Sequence, residues 1–446
     1  MCLFRPRKES TTTRLNILLS NGRFPVSIDL ARQLKLAGHN VYVVDPMHYH
    51  VCKFSNSVVK SYWVPAPHVD AEGYTEGVRR AVEDANIDLI IPMHEELFHL
   101  AEQTSDVSDE NGQIVRKRLF APSFQTLVRL HNKWEFSLFL RRTGCDAPRA
   151  WLCRSMDDVR ALPHREMELA LKPVYGRAAK DVHHLKPDTP LPDRVDVGPE
   201  NEYIAQEWIT GNRYCSYSVL RDGRVFAFSV YPVVDTIDES SCVYFQSTEH
   251  AGIRAYVERI ADALPGVNGQ IAFDFIETDD RLVAIECNPR ATSGIHLWSG
   301  TPDLAHSFTR SSPAVARPGA RRQLIPGMLM WSKKGAGLGE YLRHMKRLMG
   351  TKDVMFSKRD LLPSLMQPFL LTSYYEICRE RRMDISTMFQ WDLVWEPGRE
   401  QLENIRRLLA RVGREGGGGG AKEEDVEGEQ SESLGRDSGV GVERNP

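Results

Sequence analysis

The sequence predicts an α/β protein with an open parallel sheet at its N-terminal end, and three stretches carry that prediction. Residues 14–45 read as strand, turn, helix and strand: an apolar run at 15–19, the turn Ser20-Asn21-Gly22-Arg23, a helical pattern over 26–37 closed by Gly38, and a second apolar run at 41–44. Parallel strands joined by a helix build an open sheet. A helical pattern at 74–84 and a strand at 89–91 repeat the unit. The third stretch, GQIAFDFIETDDRLVAIECNPRATSGIHL at 269–297, sets two apolar runs on either side of the polar turn Glu277-Thr278-Asp279-Asp280, which is the pattern of a β-hairpin.

The first turn holds one glycine where a dinucleotide fingerprint needs three, so it is not read as a dinucleotide site. His94, Glu95 and Glu96 stand at the carboxyl end of the strand at 89–91, where α/β sheets place ligands. Residues 104–118 are polar and read as a linker. Ser123 is a candidate N-cap for a helix that carries Leu130-His131-Asn132-Lys133-Trp134 and then Phe136 and Phe139. A strand at 169–172 ends in Lys172, followed by Gly176, Ala178 and Ala179. A lysine so placed aims its ammonium at phosphate oxygens while the amides of a small-residue loop close over them. Residues 187–199 read as a surface loop, and 203–220 as two strands about a turn at Gly211. Ile253, Tyr256, Val257, Ile260 and Leu264 recur at helical spacing just before the hairpin.

The hairpin holds the chemistry. Asp274 lies in one strand and Glu286 at the end of its partner. Alternation puts Glu286 and Asn288 on one face and Ile285 and Cys287 on the other. Two carboxylates and an amide oxygen are hard donors suited to Mg²⁺, which takes one or two carboxylates together with phosphates and water. Left together without a cation, the two acids repel and shift their pKa values. Arg290 presents a planar fork of donors for a phosphoryl or carboxyl oxygen. Ser293, Gly294 and His296 follow it as candidate pocket residues.

Composition limits the alternatives. The 446 residues allow two or three domains, and a net charge of −3 implies no field for nucleic acid. Eight cysteines without a CxxC pair read as reduced thiols, and no apolar run has the length of a signal peptide or membrane span, so a cytoplasmic protein is expected. Residues 313–410 are basic and aromatic. The apolar 363–378 segment is expected to pack on the main body, and its prolines argue against one long membrane-surface helix. The glycine- and glutamate-rich end is expected to be disordered. From Ala421 onward eight acids and three bases give −5, and removing that from −3 leaves about +2 for the rest.

The run Glu286-Cys287-Asn288-Pro289-Arg290, with Asp274 twelve residues upstream, resembles the metal-binding hairpin of the ATP-grasp superfamily, which includes biotin carboxylase and the D-alanine ligases. Within it, the chain looks most like the mycosporine-forming ligases. That likeness rests on Phe54-Ser55-Asn56, Val64-Pro65-Ala66-Pro67, Glu72-Gly73-Tyr74, Gly269-Gln270-Ile271 and Asp274-Phe275-Ile276, and covers roughly residues 14–300. The resemblance implies a pre-ATP-grasp α/β domain at 14–110, a two-lobed α+β ATP-grasp domain at 119–312, an extension at 313–410 and a tail at 411–446. It implies ATP and Mg²⁺ or Mn²⁺ as cofactors, with Asp274, Glu286 and Asn288 on the metal and Lys133, Lys172 and Gly176 on the phosphates. Gln206, Glu207, Trp208 and Ile209 would follow the adenine, and Arg290 and Lys172 would serve catalysis. Asn212 and Arg213 stand where many relatives place glutamates.

What the resemblance implies about activity is an ADP-forming carbon–nitrogen ligase of specialised metabolism. It would phosphorylate a small-molecule carboxylate or enol and join it to an amine or amino acid, with no nucleic-acid partner and no membrane contact. Two other readings stand beside it: a nucleotide-binding scaffold that has lost catalysis, and a kinase that stops at the phosphorylated product. The substrates, the oligomeric state and the role of 313–410 are left open by the sequence.

Overall fold

The computed structural model describes residues 13–176, 181–192, 194–237, 241–309, 313–330 and 337–415. Its first layer is a parallel sheet of β1 (Asn16–Leu19), β2 (Asn40–Asp45), β3 (Lys60–Trp63) and β4 (Leu89–Ile91), in the order β3-β2-β1-β4. Ile17, Leu18, Leu19, Val41, Val43, Val44, Ile90 and Ile91 are fully buried, as expected of strands covered on both faces. Helix α1 (Pro25–Leu36) starts with Pro25 in its first turn, where the missing amide hydrogen is no loss, and buries Ile28, Leu30, Ala31 and Leu34. Helix α2 (Ala71–Asp84) is capped by Asp70, whose carboxylate accepts from the Gly73 amide. Helix α3 (Glu96–Gln103) follows β4.

Two readings of this region are corrected. The expected linker at 104–118 contains α4 (Glu110–Arg116), because Asp109 accepts from the Asn111 and Gly112 amides and Val115 is buried. One apolar anchor and a cap are enough for a two-turn helix, and neither shows as periodicity in a charged stretch. The helix opened by Ser123 is two helices, α5 (Phe124–His131) and α6 (Lys133–Arg142). Asn132 sits between them with extended backbone and caps the second through the Glu135 amide. Lys133 thereby becomes the first residue of α6.

The second domain rests on two sheets that are antiparallel but for one short parallel edge strand. The smaller joins β5 (Ala150–Cys153), β6 (Leu169–Pro173), β7 (His183–Leu185) and β8 (Tyr203–Glu207) in the order β5-β8-β6-β7, with α7 (Met156–Arg160) beside it. The larger contains β9 (Asn212–Arg221) and β10 (Arg224–Pro232). Short strands β11 (Thr236–Ile237), β12 (Ser241–Cys242) and β13 (Tyr244–Gln246) and helix α8 (Ala251–Asp262) precede its hairpin, β14 (Gly269–Glu277) and β15 (Leu282–Asn288). With β16 (Ala314–Val315) the order is β15-β14-β9-β10-β16. Gly211 carries the turn from β8 to β9 so close to the hairpin that an added Cβ would stand 2.2 Å from the Glu277 carbonyl oxygen. No other residue fits there without moving a backbone.

Beyond α9 (Asp303–Thr309) come β17 (Arg321–Gln323), α10 (Ile325–Leu329), α11 (Leu338–Gly350), α12 (Leu362–Leu365), α13 (Gln367–Arg381) and α14 (Ile385–Met388). As expected for the apolar segment, Leu370, Tyr374 and Cys378 share a core with Met47, Val51 and Cys52 of the first domain. Residues up to Glu396 form one compact unit, and a second begins at Pro397 with α15 (Arg399–Glu415). That helix runs past position 411, where the tail was expected to begin; 416–446, like Ala178 and Ala179 of the small-residue loop, lie outside the described residues.

Candidate functional site

The hairpin register decides which side chains meet. From Glu277↔Leu282 to Phe275↔Ala284 the pairing is regular, and continuing it would set Asp274 opposite the apolar Ile285. A bulge between Asp274 and Phe275 shifts the ladder by one, so Asp274 faces Glu286 and Ala272 faces Asn288. Paired residues share a face, and so do residues two apart. Asp274, Glu286 and Asn288 therefore lie on one face of β14 and β15, with the Asn288 amide nitrogen donating to Asp274 Oδ2 at 3.3 Å. Cys287, on the other face, is buried against Phe273 and Phe275.

The electrostatics are those of a buried acid beside a second one. Burial raises the Asp274 pKa to about 6, the Glu286 charge adds to the rise, and a hydrogen bond from Cys215, Arg213 and Arg290 oppose it. Cys215 Sγ donates to Asp274 Oδ1 at 3.0 Å. Its thiol is pushed well above its ordinary value, so it stays a neutral donor rather than a thiolate ligand. Among the described residues no three His, Cys, Asp or Glu side chains cluster as a metal site. The donor set on this face, two carboxylates and an amide oxygen, fits a hard cation that fills its other positions with phosphate and water.

Two lysines face the acids. Lys133, almost fully buried, lies 3.6 Å from Glu286 Oε1, and its ammonium also donates to the Gly176 carbonyl oxygen. Its backbone amide donates to the Val174 carbonyl at 3.3 Å, tying the start of α6 to the segment after β6. Lys172, half-buried near the end of β6, has its pKa lowered to about 8, chiefly by burial with Lys133 adding to the effect, while Glu286 and Asp274 pull the other way. Lys133, Lys172, Gly176, Asp274 and Glu286 are thus gathered at one place, although they come from three separate segments.

Arg290 stands two residues beyond Asn288 and is held on three sides. Its Nη2 donates to Asn288 Oδ1 at 3.3 Å, its Nη1 to the Ala291 carbonyl at 3.2 Å, and its Nε lies 3.8 Å from Glu95 Oε1. Glu95, fully buried, comes from the carboxyl end of β4. Its neighbours there are structural: Glu96 accepts from Ser20 and from the Met93 and His94 amides, and His94 stacks on Phe24.

The segment 206–209 lies apart from the acids along β8. Gln206 is buried. The Glu207 carboxylate accepts from Arg281 Nη1 at 3.0 Å and from the Arg149 amide at 3.1 Å, which makes it a structural anchor between lobes. Trp208 is partly exposed and stacks on His184 at 3.6 Å. The Glu207 and Trp208 amides donate to the Arg149 and Glu168 carbonyls, so of this segment Ile209 is left to offer a backbone donor to a base. His296 is buried under the site, its Nδ1 2.8 Å from Asp29 Oδ2, and it joins α1 to the turn at Ser293–Trp298 rather than lining a pocket.

Sequence reasoning misses three residues of this neighbourhood: Cys215, Arg281 and Trp395, whose backbone amide donates to Glu95 Oε2 at 3.3 Å. The first is visible only once β9 is paired with β14, which sets Cys215 against Asp274. Arg281 carries no signal beyond its place in a polar turn. Trp395 is signalled weakly by the run Trp391-Asp392-Leu393-Val394-Trp395, which is more apolar than its surroundings.

Residues 130–294 match the family model described as an ATP-grasp domain. No curated protein matches the chain. Among solved structures, an N5-carboxyaminoimidazole synthetase from Staphylococcus aureus complexed with ADP is similar with a TM-score of 0.55 at 13% identity, over 76% of this chain and 90% of that one. An ADP complex of an N5-carboxyaminoimidazole ribonucleotide synthetase gives 0.54 at 15%, over 70% and 82%. An L-amino acid ligase from Bacillus licheniformis gives 0.51 at 15%, over 68% and 76%. At these identities the likeness is one of fold.

Proposed function

We propose, from the premise that residues 130–294 are an ATP-grasp domain, that the chain is an ADP-forming ligase joining a small-molecule carboxylate or enol to an amine. The observation that carries the reading is the convergence of Asp274, Glu286, Asn288, Lys133 and Lys172 on one face beside Arg290. A divalent cation held by Asp274, Glu286 and Asn288 would supply neutralisation of the phosphate charge that builds up during transfer.

The protein's own side chains do the rest. Lys133 is fixed by Gly176 and Glu286, which sets its ammonium in a defined place for a phosphate oxygen. Lys172, whose pKa is lowered to about 8 in the empty site, is held more firmly in its charged form when an anionic phosphate arrives. Arg290 has five N–H groups: Nε stands in an ion pair with the Glu95 carboxylate at 3.8 Å, and hydrogen bonds to Asn288 and Ala291 take one N–H of each terminal nitrogen. The two that remain, one on each terminal nitrogen, form a fork for the oxygens of the acceptor or its phosphorylated form. The amine then attacks the activated carbon and phosphate leaves; holding the partners aligned and dry is the main catalytic contribution such a site can make.

The L-amino acid ligase among the fold neighbours supports an amino acid as the amine, and the sequence likeness to mycosporine-forming enzymes supports a place in specialised metabolism. No helix among the described residues is long and apolar enough to cross a membrane, and we read the protein as cytoplasmic. The domain limits 14–110, 119–312 and 313–410 belong to the same proposal. The test is release of ADP from Mg-ATP with pools of small acids and amino acids, with product mass as a second readout. Glu286→Gln is expected to lower turnover by about 10²–10³-fold with an unchanged circular dichroism spectrum. Full turnover in that variant refutes the metal assignment. ADP release that ignores the amine identifies a kinase, and no release identifies a binding scaffold.

A further inference from the structure

Residues 313–396 have no part in the reading above, yet one of them holds the carboxylate that faces the Arg290 guanidinium. Trp395, fully buried, stacks on Phe98 of α3 with ring centroids 4.9 Å apart and meets Phe124 of α5 edge-on at 5.8 Å. Its ring also meets Tyr175 at 5.9 Å and His131 at 6.4 Å. Those two residues flank the phosphate-facing groups: Tyr175 precedes Gly176, and His131 lies two residues before Lys133. The Trp395 backbone amide donates to Glu95 Oε2 at 3.3 Å, and the other oxygen of that carboxylate lies 3.8 Å from Arg290 Nε.

We infer that Glu95 is a positioning residue for Arg290, and that the segment ending at Trp395 completes the acceptor side of the site by holding Glu95. The inference rests on the proposed role of Arg290. Its physical basis is the geometry of a planar guanidinium. The Asn288 and Ala291 contacts come from Arg290's own strand end, and two contacts on the terminal nitrogens leave the plane free to tilt about the line that joins them, a line from which Nε stands apart. A buried carboxylate at Nε supplies the third point, and three points fix the plane. The carboxylate is itself pinned at its far oxygen by a backbone amide, which a side-chain rotation cannot withdraw. The chain thus uses a strut encoded 300 residues beyond Glu95 to hold the carboxylate that aims the fork for the acceptor's oxygens.

Glu95→Gln keeps shape and removes the charge, and Glu95→Asp keeps the charge at shorter reach. In the full-length protein, Glu95→Gln is expected to raise the KM for the acceptor by about tenfold or more while the KM for ATP stays within about twofold. Glu95→Asp is expected to recover part of the loss. A general loss of fold would move both constants together, and an acceptor KM equal to wild type overturns the inference. A second readout needs no turnover: solvent exchange of the Arg290 Nε–H, followed by NMR and assigned by its loss in Arg290→Lys. It is expected to quicken by about tenfold in Glu95→Gln. If wild type shows no acceptor-dependent ADP release, the ligase reading falls, and this exchange rate alone decides whether Glu95 holds Arg290. An unchanged rate refutes it.

Discussion

Asp274 has an elevated pKa in the folded chain, and the sign of its effect on stability follows from that. A carboxyl raised from 3.8 to about 6 by burial and Glu286 favours the fold when protonated. That contribution is complete below the unfolded value and is lost as pH rises through about 6. At pH 8 the metal-free protein therefore holds an ionised acid beside another at a cost. Asp274→Asn is expected to raise the melting temperature by about 2–4 °C at pH 8 and by clearly less at pH 4.5, with Mg²⁺-dependent turnover abolished. Differential scanning calorimetry at the two pH values checks it, and equal shifts would sink the account. The shared face of Asp274, Glu286 and Asn288 is legible in the sequence because side-chain alternation is a local property of a hairpin. The bulge that sets Asp274 against Glu286 instead of Ile285 is not legible, since it depends on how β14 fits β9 and how the hairpin packs on the helix beneath it.

At the scale of elements, the division between α5 and α6 matters most. The Asn132 side chain caps α6 through the Glu135 amide, and Lys133 is the first residue after the cap. Asn132→Ala is expected to cost about 1 kcal/mol of stability and to raise the KM for ATP by several-fold, because the lysine's helix loses its fixed start. Urea denaturation and nucleotide titration measure the two effects, and a stability loss with unchanged ATP affinity would separate the cap from the lysine. The sequence shows the Ser123 start and the apolar stripe through Phe136 and Phe139, but reads straight through Asn132, because an asparagine within a helical pattern gives no notice that it has left the helix. In the same way α4 hides in a charged stretch. The strands 16–19, 40–45 and 89–91 are legible because buried parallel strands need continuous apolar runs.

For the molecule as a whole, the C-terminal extension is tied to the first domain by buried charge. Arg23 sits between Asp45, at 2.7 Å, and Asp392, at 2.6 Å, with all three side chains nearly or wholly inaccessible. Burial works against its charge, and the two carboxylates outweigh burial and hold the guanidinium protonated. Asp360 makes a second tie, accepting from Arg32, Ser55 and the Asn56 amide. Arg23→Met is expected to destabilise the protein by about 3–5 kcal/mol, as removal of one partner leaves buried carboxylates uncompensated. A shift of the urea midpoint corresponding to less than about 1 kcal/mol would show that the cluster is solvated. None of this is legible in the sequence, where Arg23 reads as a turn residue and Asp392 as one acid among many. The pairing also bears on the order in which the molecule is made. Arg23 leaves the ribosome early and Asp392 follows 369 residues later, so the first sheet to be translated is the last to have its interior charge settled. A nascent chain halted short of that aspartate holds a half-neutralised arginine in the interior of its oldest domain.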